Sequence, residues 1–119
     1  MDQSAINEGN ALIAEKLLGW YKDENAGENV YRASNEKFLE FSHYHIKELK
    51  FHFDWNWLMV AVDKIEKEIN ETYQRGGHRV VIEQYRCVIT HPFIDIVAFT
   101  KKSATYKAVI AYIKKIKST

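Results

Sequence analysis

The residues with chemical potential fall in two groups. The first is a run of imidazoles: His43, His45 and His52 lie close together, and an extended backbone puts His43 and His45 on one face. Zinc takes such ligands, with Asp54 as an oxygen donor. Their spacing matches no compact zinc motif, however, and Cys87 is the only cysteine, so the expectation is no metal site and no cofactor. Cys87 with His78 or His91 would make a thiol–imidazole pair. A single cysteine inside an apolar run reads more simply as a small buried hydrophobe. Asp54 beside His52 is explained as a helix cap. No GxxxxGK[ST], GxGxxG or GxSxG segment is present, so phosphate-cradling loops and nucleophile elbows have no support. No catalytic residue is assigned, and a non-enzymatic protein is expected.

The second group suits binding. Tyr31, Arg32, Phe38, Phe41 and Tyr44 bring together the residue types that dominate protein hot spots. Arg75, Arg79, Arg86, Lys101, Lys102 and Lys107, with Tyr85 and Tyr106, would offer cations and stacking rings to single-stranded RNA. The charge is unevenly spread. Residues 76–119 hold 8 bases and 2 acids, whereas residues 1–40 hold 4 bases and 8 acids, within a net charge of +1. Such a basic third either steers an acidic partner or is a solvated helix face. The partner-binding residues expected on these grounds are Tyr31, Arg32, Phe38, Tyr44, Arg79, Arg86 and Lys102. Trp55 and Trp57, two apart, cannot both occupy the centre of one helical face: either one packs in the core and the other is partly exposed as an interface anchor, or both are core residues held by different layers.

These residues must be positioned by a small set of elements. Asn10 is a suitable cap for a helix to Leu18 carrying Ile13, Leu17 and Trp20 on one stripe, with Gly19 at its end. Residues 22–29 read as a loop. In residues 30–48 a short Ser34-capped helix competes with strand-forming aromatics. Leu49, Phe51 and Phe53 alternate with Lys50, His52 and Asp54, the period of a half-buried strand. Asp54 then caps a helix from Trp55 to Gln74 whose Leu58, Val62, Ile65 and Ile69 face inward, and Gly76-Gly77 stops it. His78–Thr90 reads as one strand, His91-Pro92 as a turn and Phe93–Thr100 as the returning strand. Ser103 is taken to cap a last helix with Tyr106, Val109, Ile110, Ile113 and Ile116 inside and Lys107, Lys114 and Lys117 outside.

The order α-(β)-α-β-β-α predicts an α+β fold, a small antiparallel sheet covered by helices. With 119 residues, 46% hydrophobic and 28% charged, the chain has the size of a single domain, residues 1–119, with an irregular insertion at about 22–48. One cysteine permits no internal disulfide, and the first ten residues lack a signal-peptide pattern, which favours a reducing cytoplasm. Apolar runs such as residues 57–62 are far shorter than the roughly 20 residues that span a bilayer, so no membrane partner is expected.

Three segments carry a resemblance. NALIAEKLLGW (10–20), LKFHFDWNWLMVAVDKIE (49–66) and SATYKAVIAYIKKI (103–116) are similar to the opening, central motif and closing helix of small bacteriophage and prophage proteins of the phage "ABA sandwich" family. The resemblance implies an α/β/α-like layered sandwich, a phage or prophage origin and hence the cytoplasm of a bacterial host. It implies no activity. Small phage accessory proteins act by stoichiometric binding, so the expected function is binding of a host protein or ribonucleoprotein, in its sharpest form inhibition of a host defence system of the anti-CRISPR type. The alternative is an RNA- or single-stranded nucleic-acid-binding module that uses the basic C-terminal third.

Overall fold

A computed structural model describes residues 2–33, 39, 41–74 and 76–117. The fold is α+β, with three α-helices and two three-stranded antiparallel sheets among the described residues. Helix α1 (Gln3–Leu12) begins a full two turns before the expected start, because Asp2 accepts the Ala5 N–H at 2.8 Å and serves as its cap. It runs into a π-helical turn, Ile13–Leu17, closed by the Leu18 N–H on the Ile13 carbonyl. Gly19, at φ +75°, ends the helix in the left-handed region as its position suggested.

Strands β1 (Tyr21–Lys22), β2 (Val30–Arg32) and β3 (His43–His45) form the first sheet in that order, and a 3₁₀ turn follows at Ile46–Glu48. The Ser34 cap and Phe38 lie outside the described residues. The expected strand at Leu49–Phe53 is a turn instead: the Lys50 carbonyl accepts both the Phe53 N–H (3.2 Å) and the Asp54 N–H (2.9 Å). Leu49 and Phe51 still point into the core while Phe53 is half exposed, so alternation of burial arises here without a strand.

Helix α2 (Trp55–Tyr73) starts where Asp54 accepts the Asn56 N–H at 2.8 Å. It ends on Gln74 in the left-handed conformation, one turn element before the glycine pair. The segment expected to be one strand folds back on itself at Gln84-Tyr85, giving β4 (Val80–Glu83) and β5 (Arg86–Ile89). The cis His91-Pro92 turn leads to β6 (Ile94–Val97), and the order β4-β5-β6 makes the second sheet. Helix α3 (Lys101–Ile116) is capped by Thr100, not Ser103; it is the Ser103 N–H that donates to the Thr100 hydroxyl, at 3.0 Å.

The core joins these pieces. Leu58, Val62, Ile65 and Ile69 of α2, and Tyr106, Val109 and Ile113 of α3, are buried; Ile110 is partly covered and Ile116 half exposed. Asp63, Lys67, Lys107 and Lys114 are exposed, as the helical periodicity requires. At the other end Trp20, Tyr44, Phe51 and Trp57 pack ring against ring, with centroids 5.1–6.5 Å apart in stacked, tilted and edge-on arrangements. Trp57 is thus the core tryptophan. Trp55 lies partly exposed, under the Lys102 ammonium at 5.8 Å from its ring.

Asn10 sits inside this core and caps nothing. Its amide donates to the Leu49 carbonyl (3.0 Å), meets Nδ1 of His52 (3.0 Å) and accepts the Tyr106 hydroxyl (3.0 Å). Burial holds the His52 imidazole below its usual value of 6.5. The neutral ring is the form that suits the fold, because protonation would turn Nδ1 from an acceptor into a donor facing the Asn10 amide. A histidine with a lowered folded-state pKa stabilises the fold fully above its unfolded value, and that contribution is lost as pH falls from there through the folded value. Urea midpoints should therefore drop between about pH 7.5 and about pH 5.5, and drop less for His52→Gln. An equal drop in both proteins would remove His52 as the cause.

Candidate partner-binding surface

The second sheet has two unlike faces because its side chains alternate. Val80, Ile82, Cys87, Ile89, Ile94 and Ile96 form the inner face, across which α3 packs. Opposite them, Val81, Glu83, Arg86, Val88, Asp95 and Val97 form the outer face; Val81 is 46% and Val97 64% exposed. Arg86 and Asp95 pair across this face at 3.1 Å. At the hairpin end, Tyr85, Val97, Ala98 and Phe99 surround an apolar concavity of about 640 Å³. Phe99 has 96% of its surface in solvent and Tyr85 has 55%. Isolated exposed apolar residues are ordinary, but a contiguous group of aromatic and branched side chains marks an interaction site.

The two edges of the sheet also differ. The Thr90 N–H donates to Arg79 and the Ala98 N–H to Tyr85. With the strand registers, these bonds set which backbone groups face out of the ladder. Along the β4 edge, the carboxylate of Glu66 on α2 accepts the Val80 N–H at 3.2 Å and the Arg79 N–H at 2.6 Å. Along the β6 edge, Asp95 and Val97 turn their N–H and C=O groups away from β5, and no hydrogen bond closes them among the described residues.

The sequence-derived binding residues do not converge. Tyr31 and Tyr44 are buried, at 1% and 6% exposure, and so are removed from the surface they were expected to furnish. Burial, then the nearby Glu15 carboxylate 3.4 Å from its hydroxyl, pushes the Tyr31 phenol up to about 12. Both tyrosines sit in β2 and β3, whose inward face is needed by the aromatic core. Arg32 is exposed and donates to the Tyr21 hydroxyl at 3.1 Å. Phe38 lies outside the described residues. Arg79 is partly buried with its guanidinium on Asn70 (2.8 Å), Arg86 is paired with Asp95, and Lys102 covers Trp55. Tyr106, expected to stack with RNA, is buried, and Arg75 is outside the described residues.

The groups considered for chemistry have structural occupations. His43 meets the Asp23 carboxylate at 3.0 Å, and that hydrogen bond holds Asp23 below the usual carboxylate value. His45 caps the 3₁₀ turn through the Lys47 N–H, and His91 packs on Tyr73 with centroids 4.4 Å apart. His78 is exposed, 3.8 Å from Glu66. Cys87 is fully buried, and burial raises its thiol to about 11. It is held protonated, opposite to what a nucleophile needs. Among the described residues no three His, Cys, Asp or Glu side chains gather as a metal would require, and no helix is long and apolar enough to cross a membrane.

No family model, curated protein or solved structure matches this chain.

A legible trace of this surface exists in the sequence. Residues 93–99, FIDIVAF, are apolar at both odd and even positions apart from Asp95. A strand covered on one face only should alternate. The excess of apolar residues on the second face was the available signal.

Proposed function

We propose that this chain is a non-enzymatic accessory protein of phage or prophage type that binds a host protein stoichiometrically, through the outer face of the second sheet and its aromatic end. The observation that carries the reading is the apolar concavity between Tyr85, Val97 and the nearly free ring of Phe99. Desolvating such rings against a complementary partner is what generates hot-spot energy. Binding to a component of a host defence system, of the anti-CRISPR type, is the specific form of the proposal; its support is that small phage accessory proteins act by stoichiometric binding and need no catalytic residues.

A nucleic-acid target has less support. Of the cations in residues 76–119, Arg86 is paired with Asp95 and Lys117 with Glu68 at 2.7 Å, and the Arg79 guanidinium is held by a hydrogen bond to the neutral Asn70 amide. The lining of the concavity is apolar in place of the cationic groove that tracks a phosphate backbone.

The test is affinity capture from the host with a tagged chain, with and without nuclease, beside a Val81→Lys/Tyr85→Ala variant and an Arg32→Ala control. The expected result is a specific protein that survives nuclease, is lost at least about tenfold by the double variant and is kept by the control. Capture that vanishes with nuclease would replace the protein reading by the nucleic-acid one. Capture unchanged in the double variant would place the binding surface elsewhere.

A further inference from the structure

We infer that the second sheet recognises a segment of its protein partner in which a large apolar side chain and an arginine share one face. The apolar group fills the concavity beside Phe99, and the guanidinium sits between Glu83 and the ring of Tyr85. The inference deepens the partner-binding reading and rests on it. Two neighbouring hollows carry it. The apolar one lies between Tyr85, Val97, Ala98 and Phe99. A second, of about 260 Å³, is lined by Glu83, Gln84, Tyr85, Arg86 and Val97. Tyr85 and Val97 belong to both and form the wall between them.

Charge decides what suits the second hollow. Glu83, Arg86 and Val97 lie side by side across the three strands, and Asp95 is the preceding outer-face residue of β6. Arg86 gives its guanidinium to Asp95 at 3.1 Å, which leaves the exposed Glu83 carboxylate without an ion pair or hydrogen bond among the described residues. The outer face thus holds two acids against one base, inside the third of the chain that is basic as a whole. A cation is the group that balances it. A guanidinium suits the place better than an ammonium, because its plane lies flat on an aromatic ring while its edge meets a carboxylate. Tyr85 is already held for this. The Gln84 amide donates to its hydroxyl at 3.1 Å, and its carbonyl accepts the Ala98 N–H at 2.9 Å, which ties the hairpin end to β6. Groups fixed beforehand lose less freedom on binding. Alternate residues of an extended segment stand on one face roughly 7 Å apart, a spacing that suits hollows sharing a wall. Lys101, two residues after Phe99, lines neither hollow.

The test titrates the intact chain with three capped peptides while its amide resonances are followed by NMR. They are acetyl-Phe-Ala-Arg-amide, the same peptide with citrulline in place of arginine, and acetyl-Phe-Ala-Glu-amide, each taken to about 20 mM at low salt. The arginine peptide should shift residues 83–86 and 97–99 saturably. It should bind at least about threefold more tightly than the citrulline peptide, the order expected of an exposed ion pair with a ring contact. Glu83→Gln should erase that advantage, and Phe99→Ala should weaken both peptides alike. Both side chains are exposed, so the rest of each variant's spectrum should be unchanged. Three results each overturn the inference: no saturable shift from the arginine peptide, equal binding of the arginine and citrulline peptides, or a preference for the glutamate peptide, which would make Arg86 the recognising group. Capture from the host separates this failure from that of the wider reading. Glu83→Lys should reduce capture as Val81→Lys/Tyr85→Ala does. Capture lost by the double variant but untouched by Glu83→Lys keeps the surface and overturns the arginine; capture untouched by either overturns the surface, and the inference with it.

Discussion

Replacing Ile65 by alanine is expected to lower stability by about 2–5 kcal/mol, the range for large-to-small changes at sites that cannot collapse. Ile65 has no exposed surface and lies mid-way along α2, in the cluster that joins α2 to α3 and to the inner face of the second sheet. Its removal takes away apolar surface burial and leaves a cavity bounded by helices on a rigid sheet, which limits relaxation. Ile116→Ala is the control: the same chemical change on a residue 49% exposed should cost well under about 1.5 kcal/mol. Urea denaturation of the two variants checks both values. Similar losses in the two would mean that the helical faces do not divide core from surface as described.

The second large effect is expected at Asn10. Asn10→Ala should destabilise the fold by roughly 2–4 kcal/mol, because each buried polar group left without its partner costs about 1–3 kcal/mol. Three partners are affected: the Leu49 carbonyl and Nδ1 of His52 lose the Asn10 amide, and the Tyr106 hydroxyl keeps only a longer contact of 3.3 Å to the Ile6 carbonyl. Gly9, one residue earlier, packs so closely on Tyr106 that a methyl group there would displace the phenol. A double-mutant cycle with Tyr106→Phe should therefore show coupling of about 1 kcal/mol or more. Additive losses would mean that the two side chains do not act as a pair.

Local signals were strong enough to specify the helices. The four-and-three spacing of Leu58, Val62, Ile65 and Ile69 has one structural solution, and Asp54 has an unfilled first turn directly after it to cap. The β-branched stretches 78–90 and 93–100 were legible as extended chain, though neither the hairpin turn at Gln84-Tyr85 nor the first sheet was, and the α+β class followed from the chain alone.

What the sequence by itself did not determine was how these pieces share one interior. Asn10 has the composition of a cap, yet Asp2 lies eight residues upstream and the helix continues through Asn10, because Tyr106 and Leu49 supply partners from distant segments. Leu49, Phe51 and Phe53 have a strand's alternation, but two hydrogen bonds to the Lys50 carbonyl favour a turn that still buries two of the three. Tyr31 and Tyr44 carry hot-spot chemistry, and their use was decided by which face of the first sheet the aromatic core covers. The candidate surface is the same lesson in reverse. Val97 and Phe99 are core-type residues, left in solvent because α3 covers only one face of the second sheet. Periodicity acts between residues three or four apart, whereas exposure depends on contacts between residues such as Asn10 and Tyr106 that only the folded chain brings together.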